Sequence, residues 1–336
     1  MYERHFGLTA KPFQLSPDAD FFFGSRGHRR ALAYLEYGVH KGEGFIVVTG
    51  EVGAGKTTLL QDLIRRLPGD AIIAAQVVST QLDADDLLRM VASAFGLESA
   101  SSEKSALLVQ LQAHLTSLHA SGKRALLIVD EAQNLSPRAV EELRMLSNFQ
   151  VGNQSLMQSF LVGQPEFRSV MQRPEMQQLK QRIIASYHLG PLDRPETERY
   201  IEHRLVHVGW KRDPSFTEAA FDRIHAASDG IPRRINALCD RLLLAAYLGD
   251  RHDIGPEDVE QVSAELISEL GFGAVQPAAP ALADLPRGAA PAEAIAALDQ
   301  RITSLEASNS LIFDVLKRVL RALRGPTRKD TESQSS

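Results

Sequence analysis

Eight consecutive residues carry the clearest chemistry in the sequence: Gly50-Glu51-Val52-Gly53-Ala54-Gly55-Lys56-Thr57. They fit the pattern GxxxxGK(S/T), which binds phosphate when it joins a strand to a helix. Each residue type has a reason to stand where it does. Glycines allow backbone N–H groups to turn inward and cradle phosphate oxygens. A helix beginning near Lys56 adds the partial positive charge of its N-terminus. Lys56 is then placed to reach the β- and γ-phosphates of a nucleoside triphosphate, and the Thr57 hydroxyl to ligate Mg²⁺. The candidate nucleotide-binding stretch runs from Gly50 to Thr58.

An acidic pair complements it. The apolar run Ala125-Leu-Leu-Ile-Val129 leads into Asp130-Glu131-Ala-Gln-Asn134. In an open α/β sheet, ligands bind at the C-terminal ends of the strands. Asp130 is the candidate to hold Mg²⁺ through water. Glu131 is the candidate to orient and polarise an attacking water. A second carboxylate beside a metal ligand favours hydrolysis over nucleotide storage. The plainer reading is a strand that ends in a solvated acidic turn.

Three further residues are candidates with open alternatives. Gln164 ends the short run Ser159–Val162 and Gly163; it either senses the γ-phosphate or is a simple loop amide. Arg182 precedes the strand-like Ile183–Leu189. It is a candidate finger reaching a neighbouring subunit's nucleotide, where it would stabilise the transferring phosphoryl group. A surface salt bridge is the alternative, and Arg168, Arg173 and Lys180 compete for the role. Arg233 follows Gly230-Ile-Pro232, and a proline there suits a first helical turn. It either reaches back to the γ-phosphate or, like Arg234, only caps and solvates its helix. Cys239 reads as core. His28, His188 and His225 show no metal-ligand spacing and receive no role.

These residues need elements to hold them. Short apolar runs at Phe45–Thr49, Ala71–Val78, Ala125–Val129 and Ser159–Val162 read as strands. Helical patterns at Thr57–Leu67, Ala84–Phe95, Ser105–Ser121 and Pro137–Phe149 separate them. Strands alternating with helices predict a parallel sheet covered on both faces. From about Pro195 strand signals stop, and Glu196–Val208, Thr217–Ser228, Pro232–Leu248 and Gly255–Leu270 read as helices. The expected division is a P-loop α/β domain over 1–192, with an N-terminal segment near the base pocket, and a helical lid over 193–270. An Ala/Pro-rich linker over 271–290, a helix over 291–324 and a disordered tail over 325–336 complete it.

Composition narrows the class. The chain has 336 residues, 44% hydrophobic and 24% charged, which is ordinary for a globular protein of two or three domains. A single cysteine cannot form an internal disulfide, which suits a reducing, cytoplasmic setting. No run of 18 or more apolar residues predicts a spanning helix, and Met1–Lys11 lacks the apolar stretch of a secretory signal. The net charge of −5 argues against a protein built mainly to coat nucleic acid. That charge is uneven: residues 1–270 carry 29 basic against 35 acidic side chains, and the remainder 8 against 7.

The residues now on the page have a family likeness. Residues 1–268 resemble the AAA+ ATPases of the general-secretion-pathway A type, and most closely their exosortase-associated branch. The likeness rests on Tyr2–Pro12, Phe21–His28, Gly50–Thr58, Asp130–Gln133, Glu141–Phe149, Gly163–Phe167, Gln181–Leu192, Tyr200–Arg204 and Gly230–Asn236. The resemblance implies a P-loop α/β domain, a helical lid, ring-type assembly, and hydrolysis of ATP with Mg²⁺ for mechanical or assembly work. It implies that Phe21–His28 borders the adenine pocket; the residues alone also fit an aromatic plug on the α/β core. It makes Arg182 the finger and Arg233 the lid sensor. Secretion-A proteins that help build secretin channels carry a transmembrane segment and a peptidoglycan-binding domain after the ATPase. Neither pattern is visible here, which favours the exosortase-associated branch and a partner in cell-envelope protein sorting or exopolysaccharide export.

Beyond the linker, Ile295, Leu298, Ile302, Leu305, Ile312, Leu316, Val319 and Leu323 recur at heptad spacing, with Asn309 at a core position. Such an asparagine commonly fixes the register of a coiled coil. Lys317, Arg318, Arg321, Arg324, Arg328 and Lys329 make the end of this segment basic. The helix is expected to pair with a second copy or a partner, to dock on its own ATPase domain, or to lie on an anionic membrane surface. The competing function is a nucleotide-switched DNA-binding ATPase of the transposition-helper type. The acidic balance of residues 1–270 disfavours it.

Overall fold

In the computed structural model, residues 1–78, 83–97 and 103–270 are described. They belong to one compact unit, Met1–Gly273. The expected linker, C-terminal helix and tail lie outside the described residues.

The strands explain the architecture. In chain order they are β1 (Phe45–Gly50), β2 (Ile72–Val78), β3 (Arg124–Asp130), a short hairpin of β4 (Gln150–Val151) and β5 (Gln154–Ser155), β6 (Met157–Gly163) and β7 (Ile183–Leu189). Two-residue strands β8 (Ser215–Phe216) and β9 (Asp253–Ile254) follow later in the chain. β1 and β6 are buried at every position. Successive side chains leave opposite faces of a strand, so a strand buried throughout must be covered twice. Phe45 and Val47 enter one apolar cluster, Ile46 and Val48 the other; Leu127 and Val129 divide from Leu126 and Ile128 in the same way.

The sheet is parallel, in the order β2-β3-β6-β1-β7. Its register sets the site. Thr49 pairs with Gly163 and Gly50 with Leu189, while Val78 pairs with Asp130. The C-terminal ends of β1, β3 and β6 therefore finish along one edge of the sheet. β6, which leads to Gln164, lies between the strand of the phosphate loop and the strand of the acidic pair.

Helices α2 (Arg26–Lys41) and α3 (Lys56–Arg66) cover one face; α4 (Ala84–Ala94), α5 (Lys104–Ala120) and α6 (Pro137–Leu146) cover the other. Local chemistry starts them. Asp83 accepts the N–H groups of Asp85 and Asp86 at the head of α4, and Ser136 accepts that of Ala139 ahead of Pro137 in α6. Sequence reading carries α6 on to Phe149. The helix ends at Leu146 because the chain turns there into the β4–β5 hairpin around Gly152, at φ +61°. Short helices α7 (Glu166–Met171) and α8 (Gln177–Lys180) lead from β6 to β7.

The second layer is helical: α9 (Arg194–His207), α10 (Glu218–Ser228), α11 (Pro232–Leu248) and α12 (Pro256–Leu270) share one core. Two departures from expectation stand out. The layer is not all-helical, because β8 and β9 form a small parallel bridge within it. The aromatic stretch is also only in part an α/β plug: Phe22 packs on the α/β core, while Phe21 and Phe23 pack on the helical layer. Tyr2 and Phe6, on and beside the short helix α1 (Tyr2–His5), join Leu8, Phe13 and Phe21 in the core of the helical layer. Among the described residues, no helix is long and apolar enough to cross a membrane.

One close approach fixes how α2 meets the sheet. A Cβ at Gly38 would stand 2.5 Å from Ile46 Cγ1 and 3.2 Å from the Phe160 ring. Replacing a helical glycine with alanine normally gains about 1 kcal/mol. Overpacking against a buried strand costs about 1–3 kcal/mol, so the clash should win. Gly38→Ala is expected to lower unfolding free energy by up to about 2 kcal/mol in a denaturant titration.

Candidate active site

The phosphate loop is built by backbone geometry. β1 ends at Gly50, and α3 begins at Lys56 with Gly55 as its N-cap at φ +95°. Gly53 stands at φ +84°. Both conformations suit glycine, and both positions lack room for a side chain. A Cβ at Gly53 would lie 2.3 Å from Arg233 Cβ, and one at Gly55 would lie 2.7 Å from His28 Nε2. Lys56 is buried, and its Nζ donates to the carbonyls of Gly50 (2.6 Å) and Glu51 (2.9 Å). Burial pushes its ammonium below the ordinary lysine range, against the pull of the Glu131, Asp130, Glu51 and Glu166 carboxylates.

Thr57 and Asp130 meet as the sequence spacing predicts. Thr57 Oγ1 donates to Asp130 Oδ2 at 3.3 Å, and the Glu131 N–H donates to Asp130 Oδ1 at 2.9 Å. Burial raises the Asp130 carboxyl, and the nearby Glu131 charge adds to this; the two hydrogen bonds and Lys56 oppose it. A hydroxyl and a carboxylate side by side, both hard oxygen donors, fit a Mg²⁺ ion completed by water and phosphate.

Glu131 is held by two amides. Gln133 Nε2 donates to its Oε2 at 2.5 Å and Gln164 Nε2 to the same oxygen at 3.1 Å. Gln133 Oε1 in turn accepts the N–H of Gln164 at 2.9 Å. Burial pushes the Glu131 carboxyl up, but the two amides and the Lys56 charge outweigh it and hold it below its ordinary range. Its backbone sits at φ +54°, a left-handed conformation in a non-glycine residue. Such conformations concentrate at functional sites. The result is an ionised carboxylate beside Lys56 and Thr57, suited to accept a hydrogen bond from water.

A cavity of about 360 Å³ opens beside the loop. Val52, Gly53, Gly55, Lys56, Thr57, Thr58 and Glu131 form its phosphate end. Gln14–Asp18 and Phe21–Phe23 form one wall, and Leu192, Tyr200, Arg204, Pro232, Arg233 and Asn236 another. Polar bonds tie these walls together. Asn236 Nδ2 donates to the Gln14 carbonyl and Arg204 Nε to that of Pro12; Tyr200 Oη donates to Asn236 Oδ1. The Arg204 guanidinium also stands 4.6 Å from the Phe21 ring centroid. Phe21–His28 thus borders the cavity, while Phe21 itself packs into the helical layer.

The remaining candidates separate. The Arg233 N–H donates to the Gly53 carbonyl at 3.1 Å, which brings the start of α11 onto the phosphate loop. Arg234 pairs with Asp229 instead. Arg182 precedes β7 at the end of the sheet opposite the loop, where its carbonyl accepts the N–H of Phe45. Its guanidinium donates to Ser147 Oγ (2.7 Å) and to Asn148 Oδ1. Arg182 therefore lies away from its own chain's Lys56. Cys239 is buried core, as read.

Sequence reasoning missed His28 and Gln133. His28 lies under the phosphate loop, hydrogen-bonded to the Ala54 backbone through its ring, with Nδ1 2.7 Å from Ser25 Oγ. Nothing in the spacing of a lone histidine reveals that contact. Gln133 did carry a signal, standing two residues after the candidate base on a tight turn. Burial pushes the His28 imidazole down to about 4, although the Ala54 bond and Glu196 charge pull upward. The folded protein keeps this ring neutral, whereas the unfolded chain protonates it near the ordinary 6.5. Stability from this difference is complete above pH 6.5 and is lost as pH falls towards 4, by on the order of 3 kcal/mol. His28→Gln should flatten the pH dependence of denaturant midpoints across that window.

The comparisons with known proteins agree with this geometry. The AAA domain family matches residues 39–171. A general secretion pathway protein A from Aeromonas hydrophila is 40% identical over 267 residues, covering 79% of this chain. The chain spans about half, 48%, of that relative's length. Among solved structures, Cdc6p from Pyrobaculum aerophilum is similar with a TM-score of 0.58 at 17% identity, over 74% of this chain and 71% of that one. The Aeropyrum pernix ORC2 protein, solved as ADPNP and ADP complexes, gives a TM-score of 0.55 at 19% identity, over 71% of this chain and 66% of that one. At such identities the likeness is one of fold. Sequence relationship, family match and site geometry together place the chain among the AAA+ ATPases of the general-secretion-pathway A type.

Proposed function

We propose that this chain hydrolyses ATP to ADP and phosphate and uses the turnover to assemble or regulate a cell-envelope secretion or sorting system. The observation that carries the reading is the ionised Glu131, held by Gln133 and Gln164 beside Lys56, Thr57 and Asp130. A protein that only stored nucleotide would need the phosphate loop but not a second, positioned carboxylate. Mg²⁺, when bound by Thr57 and Asp130, supplies charge neutralisation at the phosphates. Lys56 binds the phosphates, Glu131 orients the attacking water, and Gln164 sets the position of Glu131. Arg233 at the head of α11 reports the phosphate state to the lid, residues 193–270.

The distant position of Arg182 supports a role in trans, with the guanidinium completing the site of the next subunit in an oligomer. Kinship to a general secretion pathway protein supports an envelope or inner-membrane partner and action at the cytoplasmic face. The exosortase-associated branch, with exopolysaccharide export, is the finer assignment we favour. The heptad segment 291–324 would supply pairing between chains or peripheral membrane contact.

Three variants test this. Lys56→Ala should abolish phosphate release, and wild-type turnover in it would sink the proposal. Glu131→Gln should retain ATP binding while losing turnover by about 10²–10⁴-fold. Arg182→Ala should retain ATP binding and lose turnover by about 10³-fold or more. Mixing it with Lys56→Ala chains, which keep Arg182, should restore activity to the Arg182→Ala sites if the finger acts in trans.

A further inference from the structure

We propose that His5, Asp250 and His252 form a binding site for one divalent transition-metal ion, zinc by its chemistry, which staples the N-terminal helix to the far end of the helical layer. The site is remote from the phosphate loop and independent of the hydrolysis reading. It joins residues almost 250 positions apart: His5 from α1, and Asp250 and His252 from the turn between α11 and β9.

Three observations carry it. One donor atom from each of the three residues lies within 4.8 Å of the other two. His5 Nε2 is 3.9 Å from Asp250 Oδ1, and two donors on a tetrahedral zinc ion sit about 3.3–3.5 Å apart. The Asp250 side chain is exposed, so its rotation can close the remaining gap of up to about 1.5 Å. Second, His5 Nε2 is shielded from solvent and has no hydrogen-bond partner. A buried polar atom without a partner costs about 1–3 kcal/mol and calls for an explanation. An ion at this position supplies one.

Third, His252 has a carboxylate partner of the kind that supports metal-bound histidines. Its Nδ1 lies 2.6 Å from Asp213 Oδ1. A carboxylate on one ring nitrogen fixes the tautomer and leaves Nε2 with a lone pair, which is the outer-shell arrangement of metal-bound histidines. The two imidazoles are stacked with centroids 5.2 Å apart, and Phe6 and Tyr247 pack edge-on against His5. Two imidazoles and a carboxylate select a borderline ion such as Zn²⁺ over Mg²⁺ or Ca²⁺. Three protein ligands leave a position for water on the exposed side. The bound ion would clamp the segment whose continuation, Gln14–Phe23, walls the nucleotide cavity.

The test uses untagged full-length protein, stripped with a chelator and titrated with Zn²⁺ by calorimetry and with Co²⁺ by visible absorption. One ion per chain is expected, together with a rise in melting temperature on adding Zn²⁺. His5→Asn and His252→Asn should each weaken binding at least about tenfold, and Asp213→Asn about tenfold through the outer shell. All three should melt with the wild type in chelator, which separates lost metal from lost fold. His203 and His207, spaced i to i+4 on α9, are the competing imidazole pair; His203→Asn/His207→Asn should bind as wild type. Unchanged affinity in the His5 and His252 variants, loss of binding in the His203/His207 variant, or absence of a stoichiometric ion overturns the proposal.

Discussion

The phosphate loop is wedged between two neighbours that leave no space for side chains. His28 presses on Gly55 from α2, and Arg233 presses on Gly53 from α11. Each neighbour also makes a bond to the loop backbone, through Ala54 on one side and the Gly53 carbonyl on the other. The sheet layer and the helical layer therefore meet at the same few peptide units. Glu196 of α9 reinforces the junction by accepting the first N–H of α2 at 2.7 Å. By linkage, a ligand at the loop that shifts the helical layer would have its affinity altered by the same factor when that layer is displaced.

The charges at the site are arranged around burial. Lys56 and Asp130 are both buried, and desolvation pushes each towards its neutral form. Glu131 is less buried and takes two amide donors, so it alone of the three is driven towards ionisation beyond its ordinary state. Two adjacent carboxylates with opposite shifts have different tasks. The raised one suits a ligand whose charge a cation completes; the lowered one suits a hydrogen-bond acceptor for water.

Sequence reading located most of this site because its chemistry is local. Gly50–Thr57 and Asp130–Glu131 are short motifs at strand ends, and periodicity placed those strands and the helices beside them. The contacts it could not reach depend on folding. His28 meets Gly55 only because α2, a helix sequence reading did not assign, packs against β1 at the bare Gly38. Gln164 is a partner of Glu131 because β6 inserts between β1 and β3. Phe21–His28 also fitted an aromatic plug on the α/β core; Phe22 does pack there, but Phe21 and Phe23 do not. Their true neighbours, Tyr200, Ile235 and Leu242, lie about two hundred residues further on.

That separation has a consequence for biosynthesis. Pro12 accepts from Arg204, Gln14 from Asn236, and Tyr2 donates to Asp240, across 192, 222 and 238 residues respectively. The Tyr2–Phe21 segment thus leaves the ribosome long before its partners do. At about 5–20 residues per second, it waits roughly 10–50 s for its partners to be made. During that interval Tyr2, Phe6, Phe13 and Phe21 are an exposed apolar tether on a nascent sheet. The wall of the nucleotide cavity is completed only after α11 has been synthesised, so the binding site matures later than the phosphate loop it contains.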